Sequence, residues 1–233
     1  MVAPVAGVAG PTAKDRVRDS AGEETRTTAA AGRMTDPTDR PEGEDPEMDA
    51  IPLLMEEHQL ILRALDALEA FASKVAAGGE YRAELQHFVR FIREFADARH
   101  HGKEEDILFE AMVAAGFPRQ AGPIAVMLMD HEAGRARLAV MAEKAGQAGP
   151  LTAQDRSTVV EAARGYADLL RGHIMKEDQI LYPMARQRLP DEVLKQVNRD
   201  CAAFEEKQIA AGNDVLKDLA LELAKRHPGT RGG

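Results

Sequence analysis

His58 and His100 stand as far apart in the chain as His131 and His173 do. Glu104 follows His100 by one helical turn's spacing, and Glu177 follows His173 by the same spacing. The single offset that carries His58 onto His131 therefore also carries His100 onto His173 and Glu104 onto Glu177. The flanking sequence obeys that offset too. His100-His101-Gly102-Lys103-Glu104-Glu105-Asp106-Ile107-Leu108-Phe109 aligns with His173-Ile174-Met175-Lys176-Glu177-Asp178-Gln179-Ile180-Leu181-Tyr182. Imidazoles and carboxylates kept in register through a duplication point to a two-metal centre. This donor mixture suits iron, manganese or zinc rather than magnesium or calcium. Two glutamates on repeat-related segments can bridge two ions, leaving two histidines on each ion and free positions for a small ligand.

Such donors converge only if rigid elements aim them inward. Residues at i and i+4 share one helix face, so His100 pairs with Glu104 and His173 with Glu177. Apolar periodicity marks the helices. Ile51, Leu54, Met55, His58, Ile61, Leu62, Leu65 and Leu68 form one stripe, which ends before Gly78-Gly79. A second helix is expected from about Glu80 to Ala114, with Leu85, Phe88, Phe91, Ile92 and Phe95 on its early face. Gly116-Phe117-Pro118 and Gly122-Pro123 then break the chain. Ile124, Met127, Leu128, His131, Leu138 and Met141 stripe a third helix, which stops near Gly146–Pro150. Thr152 with Asp155 resembles a capping box opening a fourth helix that runs to about Leu189. That helix sets Tyr166, Leu169, Leu170, Ile180, Leu181 and Met184 on the face of His173. A fifth spans roughly Asp191 to Lys225, with a candidate break at Gly212-Asn213. The expected fold is all-α: an up-down-up-down four-helix bundle with an additional C-terminal helix.

Composition narrows the function classes. The chain has 233 residues, net charge −9 and a pI near 5.3, which disfavours a nucleic-acid partner. No apolar stretch approaches the roughly 20 residues of a membrane helix, and no secretory signal is expected at the N-terminus. One cysteine, Cys201, excludes an internal disulfide or a single-chain cysteine metal framework. It reads as a small, partly buried residue, and a reducing, cytoplasmic compartment follows. Residues 1–50 hold five prolines, no aromatic residue and a surplus of acids, and are expected to form a disordered acidic tail. Residues 51–190 form the bundle and 191–233 a helical extension. Met34 and Met48 are alternative starts.

The segments Glu56-Glu57-His58, His100 to Glu105, Gly122 to His131 and His173 to Glu177 together resemble the hemerythrin-like, or HHE cation-binding, family over about residues 51–190. The resemblance implies a non-haem di-iron centre, oxo- or hydroxo-bridged. His58, His100, His131 and His173 would be its terminal ligands, with Glu104 and Glu177 as bridges. Oxygen-carrying hemerythrins have a further histidine one turn after the one matching His131, where this chain has Arg135. That departure weakens the case for a reversible oxygen carrier; the four-histidine, two-glutamate set resembles the di-iron proteins linked to iron–sulfur cluster repair and nitric oxide chemistry, and other bacterial hemerythrin-like proteins. The cysteine-containing N-terminal domain usual in the repair proteins is not expected, since these residues hold one cysteine, Cys201.

Several neighbours carry two readings. His101 and Glu105 offer an alternative register, with His101 an extra ligand or an outer contact. Arg135 pairs with a carboxylate near the metals or snorkels to solvent. Tyr166 donates to a bound ligand or packs in the core, and packing is the commoner role. Glu57, Asp130 and Glu132 lie about 100° around the helix from the ligand histidines, in solvated or outer positions. His87 and His227 read as surface residues. Met55, Met127 and Met184 read as core filler.

The expected function is a cytoplasmic di-iron protein that binds or reduces oxygen, peroxide or nitric oxide, with an unidentified electron donor. Other classes are a non-catalytic oxygen or redox sensor, an iron-binding protein, and a structural bundle with incidental histidines.

Overall fold

A computed structural model describes residues 48–79 and 82–229. The expected disordered tail lies, through residue 47, outside the described residues. Six helices are present among the described residues. They are α1 (Ala50–Ala76), α2 (82–114), α3 (Gly122–Gly146), α4 (153–188), α5 (Asp191–Ala210) and α6 (Val215–Arg226). Asp49 caps α1 by accepting the Ile51 N–H at 3.3 Å. The capping box that opens α4 forms in both directions: Thr152 Oγ1 accepts from the Asp155 N–H at 3.1 Å, and Asp155 accepts from the Thr152 N–H at 3.0 Å. No described helix is long and apolar enough to cross a membrane.

Around the bundle α1 packs on α4, α4 on α3 and α3 on α2. The C-terminal extension is two helices, because Gly212 takes φ +78° and turns the chain between them. α6 seats Leu216, Ala220 and Leu223 against α1 and α2 in the apolar core. α5 lies over α1 and the second half of α2.

Every bundle helix changes core partway along. Toward one end Ile61, Leu65, Phe71, Phe88, Phe95, Met141, Val159 and Leu170 form one apolar cluster. Toward the other, Ile51, Leu54, Phe109, Met112, Ile124, Leu181 and Tyr182 form a second. His58, His100, His131 and His173 fall at the crossover of their helices, so a polar layer is sandwiched between two dry ones. Some expected core positions lie outside both: Met55 and Ile180 are exposed. His227, expected on the surface, is buried against Phe71 and Phe88, because α6 folds back over the bundle end. Cys201 is fully buried rather than partly so, and burial pushes its thiol up to about 12, which makes it an inert packing group.

Candidate metal centre

α2 and α4 pass through π-helical turns at Glu104–Leu108 and Glu177–Leu181, each beginning on the predicted bridging glutamate. The two turns are related by the offset of the sequence repeat, so the irregularity repeats with the sequence. Extra-residue turns of this kind concentrate at functional sites because they re-aim side chains. α2 carries a further π-helical stretch, Ile92–His101, which has no counterpart in α4.

The structure brings His58, His100, Glu104, His131, His173 and Glu177 into one buried cluster, each between 0 and 1 % exposed. Two sets of donors form within it. His58, His100, Glu104 and Glu177 make one; His101, Glu104, His131 and His173 make the other, with donor atoms in each set within 4.8 Å of one another. Each glutamate faces one histidine from each repeat. Glu104 Oε2 lies 3.7 Å from His100 Nε2 and 3.6 Å from His131 Nε2. Glu177 Oε2 lies 3.3 Å from His58 Nε2 and 3.1 Å from His173 Nε2. Glu104 thus belongs to both donor sets, and Glu177 to the first. His101 joins the second set, its ring stacked on His131 at 3.8 Å.

An outer ring of carboxylates orients the imidazoles. His58 Nδ1 donates to Asp178 at 2.7 Å, His100 Nδ1 to Glu57 at 2.8 Å and His131 Nδ1 to Glu105 at 2.6 Å. His101 Nδ1 donates to Asp97 at 3.3 Å. His173 Nδ1 lies 3.5 Å from Asp130. With Nδ1 turned outward to an acid, each Nε2 is presented inward as a donor atom. Glu57 and Asp130, like Glu105 and Asp178, are themselves mates under the repeat. The repeat that reveals the ligands therefore also marks four of their supports, whereas Asp97, whose mate is Leu170, escapes it. Arg135 stands where a further histidine would be and holds two members of this ring, donating from Nε to Asp97 and from the guanidinium terminus to Glu105, each at 2.8 Å. Glu132 only meets Arg135 from solvent. Tyr166 packs in the apolar core.

Spacing does not single out Tyr182, yet its hydroxyl donates to Glu104 Oε1 at 2.5 Å and lies 3.4 Å from His58 Nε2. Burial, reinforced by the Glu104 charge, raises its phenol well above the ordinary value, so it keeps its proton and remains a donor. Burial and the neighbouring Glu177 also push the Glu104 carboxyl well up. Burial would raise Glu177 too, but His173 and His58 outweigh it and hold that carboxylate ionised. His58 is pushed down by burial and up more strongly by Asp178 and Glu177, to about 9.

The donor set fits a metal on a second count. His100 Nε2, His101 Nε2, Glu104 Oε2 and both Glu177 oxygens are buried with no hydrogen-bond partner. His131 Nε2 and His173 Nε2 sit 3.0 Å apart. Buried polar atoms left unpaired are costly, and metal cations held by the two donor sets would satisfy them. Residues 49–185 match the family described as the hemerythrin HHE cation-binding domain. No curated protein and no solved structure matches the chain.

Proposed function

Since the chain belongs to the hemerythrin HHE cation-binding family, we propose that the histidine–glutamate layer holds two iron ions and there binds or reduces oxygen, peroxide or nitric oxide. The observation that carries this reading is the convergence of buried, unpartnered Nε2 and carboxylate atoms on one layer. His58 and His100 would hold one ion and His101, His131 and His173 the other, with Glu104 and Glu177 as the carboxylates of the layer. Manganese or zinc would suit the same donors. Iron bound there would supply one-electron redox chemistry toward small oxidants, which no side chain of this layer offers.

The residues of the chain do the rest. The outer carboxylates hold His58, His100, His101 and His131 by Nδ1 and so set the tautomer and direction of those rings. Tyr182 holds a proton at its hydroxyl, beside Glu104, where it can be donated to a small ligand. Burial in a layer closed by apolar cores restricts entry to molecules of a few atoms and keeps bulk water out. Turnover requires an electron donor outside this chain. A reducing cytoplasm suits such a centre, and the single buried cysteine agrees with it.

The test is consumption of oxygen, peroxide and nitric oxide by iron-loaded protein supplied with a chemical reductant, against an equal amount of free iron with the same reductant. Turnover above the free metal supports reduction. Reversible spectral changes without consumption would turn the reading to a sensor or carrier, and a folded wild-type protein that binds no metal would overturn it.

A further inference from the structure

The family match ends at residue 185, but α5 reaches back to the metal layer from beyond it. Glu205 of α5 accepts from Arg99 Nε at 3.1 Å and from Lys103 Nζ at 2.5 Å. Lys103 Nζ also donates to Glu57, and Glu57 accepts from His100 Nδ1 at 2.8 Å. An unbroken buried path thus runs from α5 through one lysine and one glutamate to a ligand imidazole. Its charges balance, two cations against two carboxylates. α5 can approach this closely because residue 102 is glycine: a Cβ there would stand 3.3 Å from Phe204 Cζ.

The other repeat half shows what the path looks like without α5. Asp130 and Lys176 repeat Glu57 and Lys103, but the mate of Arg99 is Gly172 and the mate of Gly102 is Met175, which is 53 % exposed. No fourth charge is needed there, because Lys176 pairs with Asp130 at the surface. Arg99 is thus an added buried cation on the first half, and it comes with an added acid, Glu205.

We propose that Glu205 is a positioning residue of the metal centre: by neutralising Arg99 and Lys103 it leaves Glu57 free to hold His100, and so sets the affinity of the His58–His100 half for its ion. The inference rests on the metal reading above. Without Glu205, Lys103 keeps Glu57 as its one carboxylate partner and Arg99 is left with the Asn213 carbonyl and the charges of Glu57 and Asp214, which draws Glu57 off the imidazole. Loss of an outer partner of a ligand histidine lowers metal affinity by about 10- to 100-fold.

The experiment is anaerobic ferrous titration against a competing chelator, with circular dichroism as the check on folding. It uses the full-length wild type, Glu205→Gln and the charge-balanced pair Arg99→Met/Glu205→Gln. Glu205→Gln should hold one of two ferrous equivalents about 10- to 100-fold more weakly, and the pair should recover wild-type affinity. Wild-type affinity for both ions in folded Glu205→Gln, or a folded pair no tighter than Glu205→Gln, would overturn the inference. If Glu205→Gln fails to fold, the pair decides: wild-type affinity supports the inference, and weak binding or failure to fold overturns it. A wild type that binds no ferrous ion refutes the metal reading itself, which keeps the two failures apart.

Discussion

The first repeat half, built on α1 and α2, and the second, on α3 and α4, supply the same donors and surround them differently. Lys103 in the first is 0 % exposed and lies between Glu57 and Glu205; its mate Lys176 is 34 % exposed beside Asp130. Tyr182 lies over His58, stacked at 5.5 Å, and gives Glu104 a hydrogen bond. The mate of that tyrosine, Phe109, lies 6.0 Å from His131 and has no hydroxyl to give. His101 adds an imidazole to the second donor set, whereas its mate Ile174 joins the apolar core. A duplication thus supplies two equivalent triads, and substitutions around them make the two donor sets inequivalent. One has two histidines under a phenol. The other has three histidines, two of them, His101 and His131, held through acids that Arg135 ties together.

Exchanging or deleting mates tests this contrast, and the lysines give the largest difference. Lys103→Met leaves two buried carboxylates without their shared cation and should cost about 3–5 kcal/mol. Lys176→Met, on a half-exposed pair, should cost about 1 kcal/mol or less. Equal losses in urea unfolding of the metal-free proteins would remove the distinction between the halves.

The histidine mates separate by pH. In metal-free protein His58 is held up to about 9, while burial keeps His131 below the ordinary range despite Glu105. A raised folded-state value stabilises below the unfolded value of about 6.5 and loses that contribution as pH climbs through 9, on the order of 3 kcal/mol in total. Nitrogen-15 spectra of the imidazoles would show His58 still protonated at pH 8 and His131 neutral. The reverse assignment would contradict the electrostatics described here.

Placing the side chain of Met175 at position 102 drives it into Phe204 and should cost about 1–3 kcal/mol by overpacking. The reciprocal Met175→Gly should cost only about 1 kcal/mol, the helix penalty of glycine. Thermal melts would read both. Tyr182→Phe removes one buried hydrogen bond to Glu104, worth about 1 kcal/mol. Phe109→Tyr adds the hydroxyl that the second half lacks, and a stabilising Phe109→Tyr would show that the phenol's place is not special to the first half.

Much of this is legible in the chain. Stripes of helical period locate the bundle helices, because each buries one face, and the repeat offset gathers the six expected ligands. His101 stays undecided in the sequence for a physical reason. In a regular helix adjacent residues diverge by about 100°, so His100 and His101 should not both face inward. The Ile92–His101 π stretch alters that register, and no local signal announces it. Tyr182 gives no sign of its role because its mate is an ordinary core phenylalanine. Glu205 and the buried His227 depend on where α5 and α6 dock, which periodicity leaves open; the break at Gly212 is visible in the sequence, the fold-back is not.

The central claim, a metal layer bridged by Glu104 and Glu177, is tested most directly by elemental analysis of protein from iron-supplemented cells. Wild type is compared with Glu104→Ala/Glu177→Ala. About two irons per chain in wild type and essentially none in the folded variant are expected, since both bridges are gone. A folded, metal-free wild type, or a variant that keeps its full complement, would contradict the account.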